Sequence, residues 1–424
     1  MSSPASSSSA SSSSFSSASP CASPALPSSA VPASAVPASV ASRVRQNPLA
    51  AHGWDDAWEE EFAPYADRAL VPGRVVRVDR GQCDVATAEG TCRADTEFVV
   101  PRDPMKVVCT GDWVAVDPVG PDPRYVRTLL PRRTAFVRST TSKRSEGQVL
   151  ATNIDYVIVC VSLAEELSLG RIERLLALAM SCSDGDALLR DEAPGAVRRQ
   201  EYTTTPLVVL TKADLVPDAA TLGHLVADVE ASAPGTPVLP VSAATGDGVD
   251  VLAAVVSGGT SVLLGRSGAG KSTLANTLLG EDVMRVHAIR DVDGKGRHTT
   301  TTRNLLVIPG GGAIIDTPGM RGVGLWDAQT GVGQVFSEIE ELAGECRFQD
   351  CAHVAEPGCA VLEAVDSGSL AARRLDSYRK LLREDERIAA KTDARLRADR
   401  RRDWKRKGAE GRAAVRAKRG HLAP

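Results

Sequence analysis

Aromatic side chains make up only 4% of this 424-residue chain, so any packed core must be built mainly from aliphatic groups. No apolar run approaches the roughly 18–20 residues that a membrane-spanning helix needs, which excludes an integral helical membrane protein. Nine cysteines in so long a chain are too few for a disulfide scaffold. Six of them, Cys21, Cys83, Cys92, Cys109, Cys160 and Cys182, show no motif spacing and read as reduced thiols of a cytoplasmic protein. The first charged side chain is Arg43, and 19 of the first 42 residues are serine. Such a segment buries too little apolar surface to offset its ordering entropy and is expected to be disordered. It also lacks the basic start and apolar middle of a secretory signal, and it has no arginine until its end, unlike a plastid transit peptide.

The length supports two to four domains at about 100–200 residues each. The net charge of −3 hides an asymmetry: residues 371–424 hold 19 Lys+Arg against 8 Asp+Glu, and the rest of the chain is acidic. Contact with a polyanion would therefore concentrate at the tail; a solvated charged helix is the plainer alternative. Within it, residues 391–424 carry 13 basic and 4 acidic residues around Trp404, a helix-favouring segment suited to phosphate neutralisation.

Five domain-scale regions follow. Residues 1–68 are read as a tail and polar linker, with no role assigned to Trp54 and Trp58. Residues 69–138 alternate β-rich runs (Gly73–Val78, Cys83–Ala86, Phe98–Val100, Trp113–Val116, Tyr125–Leu129) with turn residues, the pattern of a small β-barrel. Residues 139–330 turn to an α/β pattern. Tyr156–Ser162 is a continuous apolar run, as for a parallel strand covered on both faces, and Leu169–Met180 is helical in pattern. Leu207–Leu210, Val238–Val241, Val262–Leu264, Leu305–Ile308 and Ala313–Ile315 are further short strands of a doubly wound sheet. Residues 181–204 are an irregular insertion. Residues 331–390 form a cysteine-bearing module, and 391–424 the basic tail.

Gly265-Arg266-Ser267-Gly268-Ala269-Gly270-Lys271-Ser272-Thr273 fits G-x-x-x-x-G-K-[ST] between a predicted strand and a predicted helix, Leu274–Leu279. Its glycines let backbone N–H groups wrap phosphate oxygens, and the helix N-terminus adds positive potential. Lys271 would supply charge at the β- and γ-phosphates, and Ser272 an oxygen to Mg²⁺.

Thr211-Lys212-Ala213-Asp214 follows the strand Leu207–Leu210. The Asp214 carboxylate can accept from guanine N1–H and the N2 amino group, a donor pair that adenine lacks, while the Lys212 stem lies on the base. Alone, T-K-x-D also reads as a helix cap; with Ser242 and Ala243, whose N–H can reach guanine O6, it points to GTP and GDP. Asp316-Thr317-Pro318-Gly319 would reach Mg²⁺ through Asp316 and the γ-phosphate through the Gly319 N–H. Thr299–Thr302 reads either as a strand or as a mobile switch completing the Mg²⁺ shell. The guanine-reading motifs precede the phosphate loop, the reverse of the usual order, so the domain reads as circularly permuted. Cys346, Cys351, His353 and Cys359 form C-x4-C-x-H-x5-C, a closed tetrahedral set for one structural Zn²⁺.

Together, the N-terminal barrel, the permuted order and the C-x4-C-x-H-x5-C module resemble the bacterial small-ribosomal-subunit-dependent GTPase A (YjeQ-like) family, over about residues 69–385. The resemblance implies an OB-fold barrel, a permuted P-loop GTPase domain and a zinc-binding helical domain. It implies a cytoplasmic, monomeric GTP hydrolase acting in late 30S maturation, binding 16S ribosomal RNA and stimulated by the subunit. It points to Thr300 as the Mg²⁺-binding threonine and to His298, catalytic or structural, in place of the water-orienting Gln. Met320, just after D-x-x-G, cannot orient water. Two other readings share these motifs: a GTP-dependent RNA-binding module, and a permuted GTPase acting on the large subunit or another RNA.

Overall fold

The structure, a computed structural model, describes residues 47–101, 107–118, 120, 122–139, 147–182, 202–284, 303–316 and 329–392. The Ser-rich start, most of the 181–204 insertion and the basic tail beyond 392 lie outside the described residues.

Five strands close into a barrel: β1 (Val71–Val78), β2 (Gln82–Thr87), β3 (Gly90–Asp95), β4 (Trp113–Val116) and β5 (Arg124–Leu129), in the order β1-β2-β3-β5-β4. β4 pairs back onto β1, and β3 and β5 run parallel, giving closure of the OB-fold type. Small aliphatic groups fill the interior: Val75, Val85, Ala94, Val114, Val116 and Val126. The structure differs from the sequence expectation at two places. Phe98–Val100 is not a strand, because Glu97–Val99 makes a single 3-10 turn. The third strand is instead Gly90–Asp95, whose polar sequence is held by its register with β2.

The region expected as a linker is folded. Pro48–His52 forms a 3-10 turn, and α1 (Asp56–Ala66) follows with Asp55 as N-cap, its side chain accepting the Trp58 N–H at 2.8 Å. Trp54, Trp58 and Phe62 recur at helical spacing and bury against the barrel, with Trp54 and Trp58 ring centroids 4.7 and 5.8 Å from that of Trp113.

A hairpin, β6 (Ala135–Ser139) and β7 (Gly147–Thr152), leads into a six-stranded sheet. Its order is β10-β9-β8-β11-β13-β12, formed by β8 (Tyr156–Ser162), β9 (Thr205–Thr211), β10 (Val238–Val241), β11 (Thr260–Leu264), β12 (Leu305–Val307) and β13 (Ala313–Ile315). All neighbours are parallel except the edge strand β12. Successive side chains face opposite sides, so Val157, Val159, Val262 and Leu264 join one core while Ile158, Cys160 and Leu263 join the other. Helices α2 (Leu169–Met180) and α3 (Ala219–Ser232) contribute to the first core, and α4 (Val249–Val255) and α5 (Lys271–Leu279) to the second. The strand order reverses between β8 and β11, where ligands of open α/β sheets bind at the carboxyl ends.

Four helices complete the described chain: α6 (Gln329–Val335), α7 (Ser337–Ala343), α8 (Ala360–Asp366) and α9 (Ala372–Thr392). α6 lies hard against α2, since a Cβ on Gly331 would fall 2.1 Å from the Ala177 carbonyl oxygen. The fully buried Glu173 of α2 accepts from Arg373 (2.8 Å), Arg374 (2.9 Å) and the Ser377 hydroxyl, tying α9 to the sheet domain.

Candidate nucleotide site and metal cluster

The loop Gly265–Gly270 joins β11 to α5 at the switch point. Gly265 has φ of 148°, and a Cβ there would meet the Cys160 carbonyl oxygen at 2.5 Å, so the loop can leave beside β8 only with glycine. Lys271 opens α5 and donates from Nζ to the carbonyl oxygens of Gly265 (2.8 Å) and Arg266 (2.6 Å), which keeps its charge over the loop. Ser272 and Thr273 follow on the first turn of α5. The Arg266 side chain turns outward to Glu165 at 2.6 Å, a half-exposed pair of the kind that adds little stability. Ser267, Gly268 and Ala269 complete the loop, and Ala269 is buried.

Thr211 ends β9, two strands away from β11. Its hydroxyl reaches across the end of β8, donating to the Ala269 carbonyl oxygen at 2.9 Å and lying 3.3 Å from that of Val161. One side chain thus ties the T-K-x-D loop to the phosphate loop. Lys212 adopts a left-handed conformation (φ 61°), and Ala213–Leu215 form one 3-10 turn. The Asp214 carboxylate accepts from the Ser242 hydroxyl at 2.6 Å. Ser242 is buried, its N–H bonds the Asp247 carbonyl oxygen at 2.9 Å, and Ala243 follows on the same turn. The two stretches expected from the sequence to read guanine are therefore brought together.

Asp316 leaves β13, and its N–H donates to the Asn304 carbonyl oxygen at 2.9 Å. Burial pushes its carboxyl pKa upward, and the positive charge of Lys271 opposes that shift. His298, Thr299–Thr302, Thr300 among them, and Gly319 lie outside the described residues.

Sequence reasoning missed Asn276. Its side-chain amide donates to the Met284 carbonyl oxygen (2.9 Å) and its Oδ1 accepts the Met284 N–H (2.7 Å), clamping the chain as it leaves α5. No motif marks such a residue; a buried polar side chain in an apolar helix is the only signal.

Cys346, Cys351, His353 and Cys359 offer ligand atoms that all lie within 4.8 Å of one another. Cys346 Sγ is 3.8 Å from Cys359 Sγ and 3.6 Å from His353 Nδ1, and His353 Nδ1 is 3.4 Å from Cys359 Sγ. A tetrahedron with metal–sulfur bonds of about 2.3 Å has edges near these lengths, so the donor set fits a metal ion such as zinc. Burial disfavours the Cys346 thiolate, but the N–H groups of Val361 and Ala360 and the neighbouring thiols outweigh it and bring its pKa below the ordinary value. His353 reaches the cluster from a left-handed backbone (φ 56°). Glu356 braces the same loop: the N–H groups of Ala355, Val354 and Ala352 hold its carboxyl pKa down to about 2.

A G-x-x-x-x-G-K-[ST] loop at the switch point of a doubly wound sheet, preceded in the chain by a T-K-x-D loop, is the arrangement of the circularly permuted GTPases. A family profile described as RsgA GTPase matches residues 197–326. The chain is 71% identical over 374 residues to the small ribosomal subunit biogenesis GTPase RsgA of Streptomyces avermitilis, covering 88% of this chain and 95% of that one. It is 67% identical over 383 residues to the protein of that name from Streptomyces coelicolor, covering 90% and 99%. Among solved structures, YjeQ from Thermotoga maritima aligns with a TM-score of 0.52 at 26% identity, covering 74% of this chain and 98% of that one. YloQ, a circularly permuted GTPase, shares the fold with a TM-score of 0.52 at 20% identity, covering 74% and 94%. The chain belongs to the RsgA GTPase family.

Proposed function

We propose that this protein hydrolyses GTP during late maturation of the 30S ribosomal subunit, as a cytoplasmic monomer that binds 16S ribosomal RNA and is stimulated by the subunit. The observation that carries this reading is the 71% identity to a small ribosomal subunit biogenesis GTPase over 95% of that protein's length. No described helix is long and apolar enough to cross a membrane.

In this reading Asp214, held by Ser242, accepts the guanine donors, and Ala243 reaches O6. The N–H groups of Gly265–Thr273 surround the phosphates, with Lys271 supplying positive charge where negative charge develops in the transition state. Ser272, Thr300 and Asp316 would hold Mg²⁺, which neutralises phosphate charge when bound; Gly319 would contact the γ-phosphate. His298 would orient water, because Met320 has no group to do so. Cys346, Cys351, His353 and Cys359 would hold one structural zinc ion. With no Gln at the switch, the isolated protein should turn over slowly, and docking on the subunit completes the catalytic geometry.

Phosphate release measured with GTP alone and with purified 30S or 50S particles tests this. Acceleration by 30S only is expected. Equal rates with and without 30S contradict it, and acceleration by 50S instead favours an action on the large subunit.

A further inference from the structure

At the amino ends of the central strands, opposite the phosphate loop, lies a cavity of about 350 Å³. It forms where three parts of the chain meet: the N-terminal turn and α1, the exit of the barrel at Arg133 and Thr134, and the amino ends of β8 and β11. Its size falls at the lower end of small-molecule pockets, and its position at a junction of modules is where such pockets concentrate.

The walls are fixed by bonds that leave the cavity open. The Arg133 guanidinium is paired with both carboxylate oxygens of Asp55 (Nη2 to Oδ1, 2.8 Å) and lies over the rings of Trp58 (3.9 Å) and Tyr202 (4.8 Å). Arg74, buried in the seam, donates to the carbonyl oxygens of His52 (3.1 Å) and Asn153 (3.0 Å) and to the Thr260 hydroxyl (3.3 Å). Tyr156 and Tyr202 are half-buried and supply aromatic surface. Gly259 is required beside them, since a Cβ there would fall 2.6 Å from the Tyr156 ring.

The polar groups define what the cavity can hold. Two arginines and two aspartates line it, Arg74, Arg133, Asp55 and Asp155, so their formal charges cancel. An anion would face two carboxylates, and a cation two guanidinium groups. Accepting capacity remains at Asp155. Asp155 accepts the Thr260 N–H at 2.7 Å through one oxygen, and its side chain opens onto the cavity. Arg74 and Ser257 also line the cavity, but Arg74 Nε and the Ser257 hydroxyl are themselves buried in the wall. Asp155 is exposed at the mouth of the cavity; crowding by its neighbours pushes its carboxyl pKa up, and the Thr260 N–H, Arg74 and Arg133 oppose that shift.

A neutral, flat molecule with N–H donors along its edge meets the Asp155 carboxylate and offers a face to the tyrosines. We propose that this cavity binds a nucleobase, with Asp155 accepting from its N–H groups and Tyr202 stacking on its face. The base comes either from a free nucleoside or from an unstacked nucleotide of single-stranded RNA.

The test uses the full-length protein with its nucleotide site saturated with GDP and Mg²⁺. Saturation-transfer NMR with adenosine, cytidine and uridine reports free nucleosides. Photocrosslinking of a short single-stranded RNA containing 4-thiouridine, mapped to peptides, reports RNA. At least one arm should give binding at this cavity. In that arm Tyr202→Ala should lose roughly tenfold in affinity or crosslink yield, from the lost stacking. Tyr202→Phe should retain it, and Asp155→Asn should change which base is preferred. No binding in either arm overturns the proposal, as does binding that Tyr202→Ala and Asp155→Asn leave unchanged. Circular dichroism of each variant separates loss of binding from loss of fold.

Discussion

At the nucleotide edge, most groups that would meet a ligand belong to the backbone: the loop Gly265–Gly270, with Gly265, Gly268 and Gly270 at positive φ, and the first turn of α5. In the Cys/His cluster they are side chains, four donors gathered from a loop with little regular structure between α7 and α8. The nucleotide edge is shaped by the sheet beneath it, whose strands are buried on both faces and need no ligand to pack. The cluster sits on irregular turns, with Cys359 in the margin of the larger core and Cys346 and Cys351 packed against it. Its thiols and imidazole all lie within 4.8 Å of one another, with Cys346, His353 and Cys359 3.4–3.8 Å apart, a crowding that a shared cation relieves. A site imposed by the fold should survive loss of its ligand, whereas a site made by its ligand should not.

The largest expected effect is at the cluster. Structural zinc contributes roughly 10–16 kcal/mol of apparent binding free energy in small zinc-dependent peptides, so Cys351→Ser or a strong chelator should melt residues 346–359 and leave the sheet folded. Hydrogen exchange would show protection lost there and kept in β8 and β11. Uniform loss across the chain would break the contrast. Next in size is Lys271→Ala, which should lower the hydrolysis rate by about 10²–10³-fold with little change in melting temperature, because a charge is lost from a scaffold that stands without it. Stopped-flow phosphate release and calorimetry check both halves. The smallest effect sharpens the picture of how the nucleotide edge is assembled. Thr211→Val removes the bond to the Ala269 carbonyl oxygen and should weaken nucleotide binding by about 1 kcal/mol, roughly fivefold, measured with a fluorescent GDP analogue.

Different parts of the molecule were legible for different reasons. The sheet strands and the phosphate loop are written in local patterns, a continuous apolar run at Tyr156–Ser162 and glycines at fixed spacing from Lys271. The barrel was legible as a class but not strand by strand. Gly90–Asp95 has only Thr91 as a β-branched residue and owes its conformation to the neighbouring strand β2. Trp54, Trp58 and Phe62 carried a readable signal, a spacing of four residues that starts just before the cap Asp55, in a stretch otherwise polar enough to pass for a linker. The bond between Thr211 and Ala269 could not be read, because it depends on the sheet order that sets β9 two strands from β11. Arg74 is a similar case: its partners at positions 52, 153 and 260 share no local pattern.

The central claim is that separate stretches of chain form one nucleotide pocket, with base recognition at Asp214 and phosphate binding around Lys271. Equilibrium binding of GTP and of xanthosine triphosphate to Asp214→Asn tests it most directly, because the amide keeps its acceptor for Ser242 but replaces a carboxylate facing guanine donors with a group that also donates. The account predicts that GTP binding falls sharply while xanthosine triphosphate, with a carbonyl in place of the amino group, binds more tightly than to the unaltered protein. Unchanged GTP affinity, with no gain for the xanthine nucleotide, would contradict it.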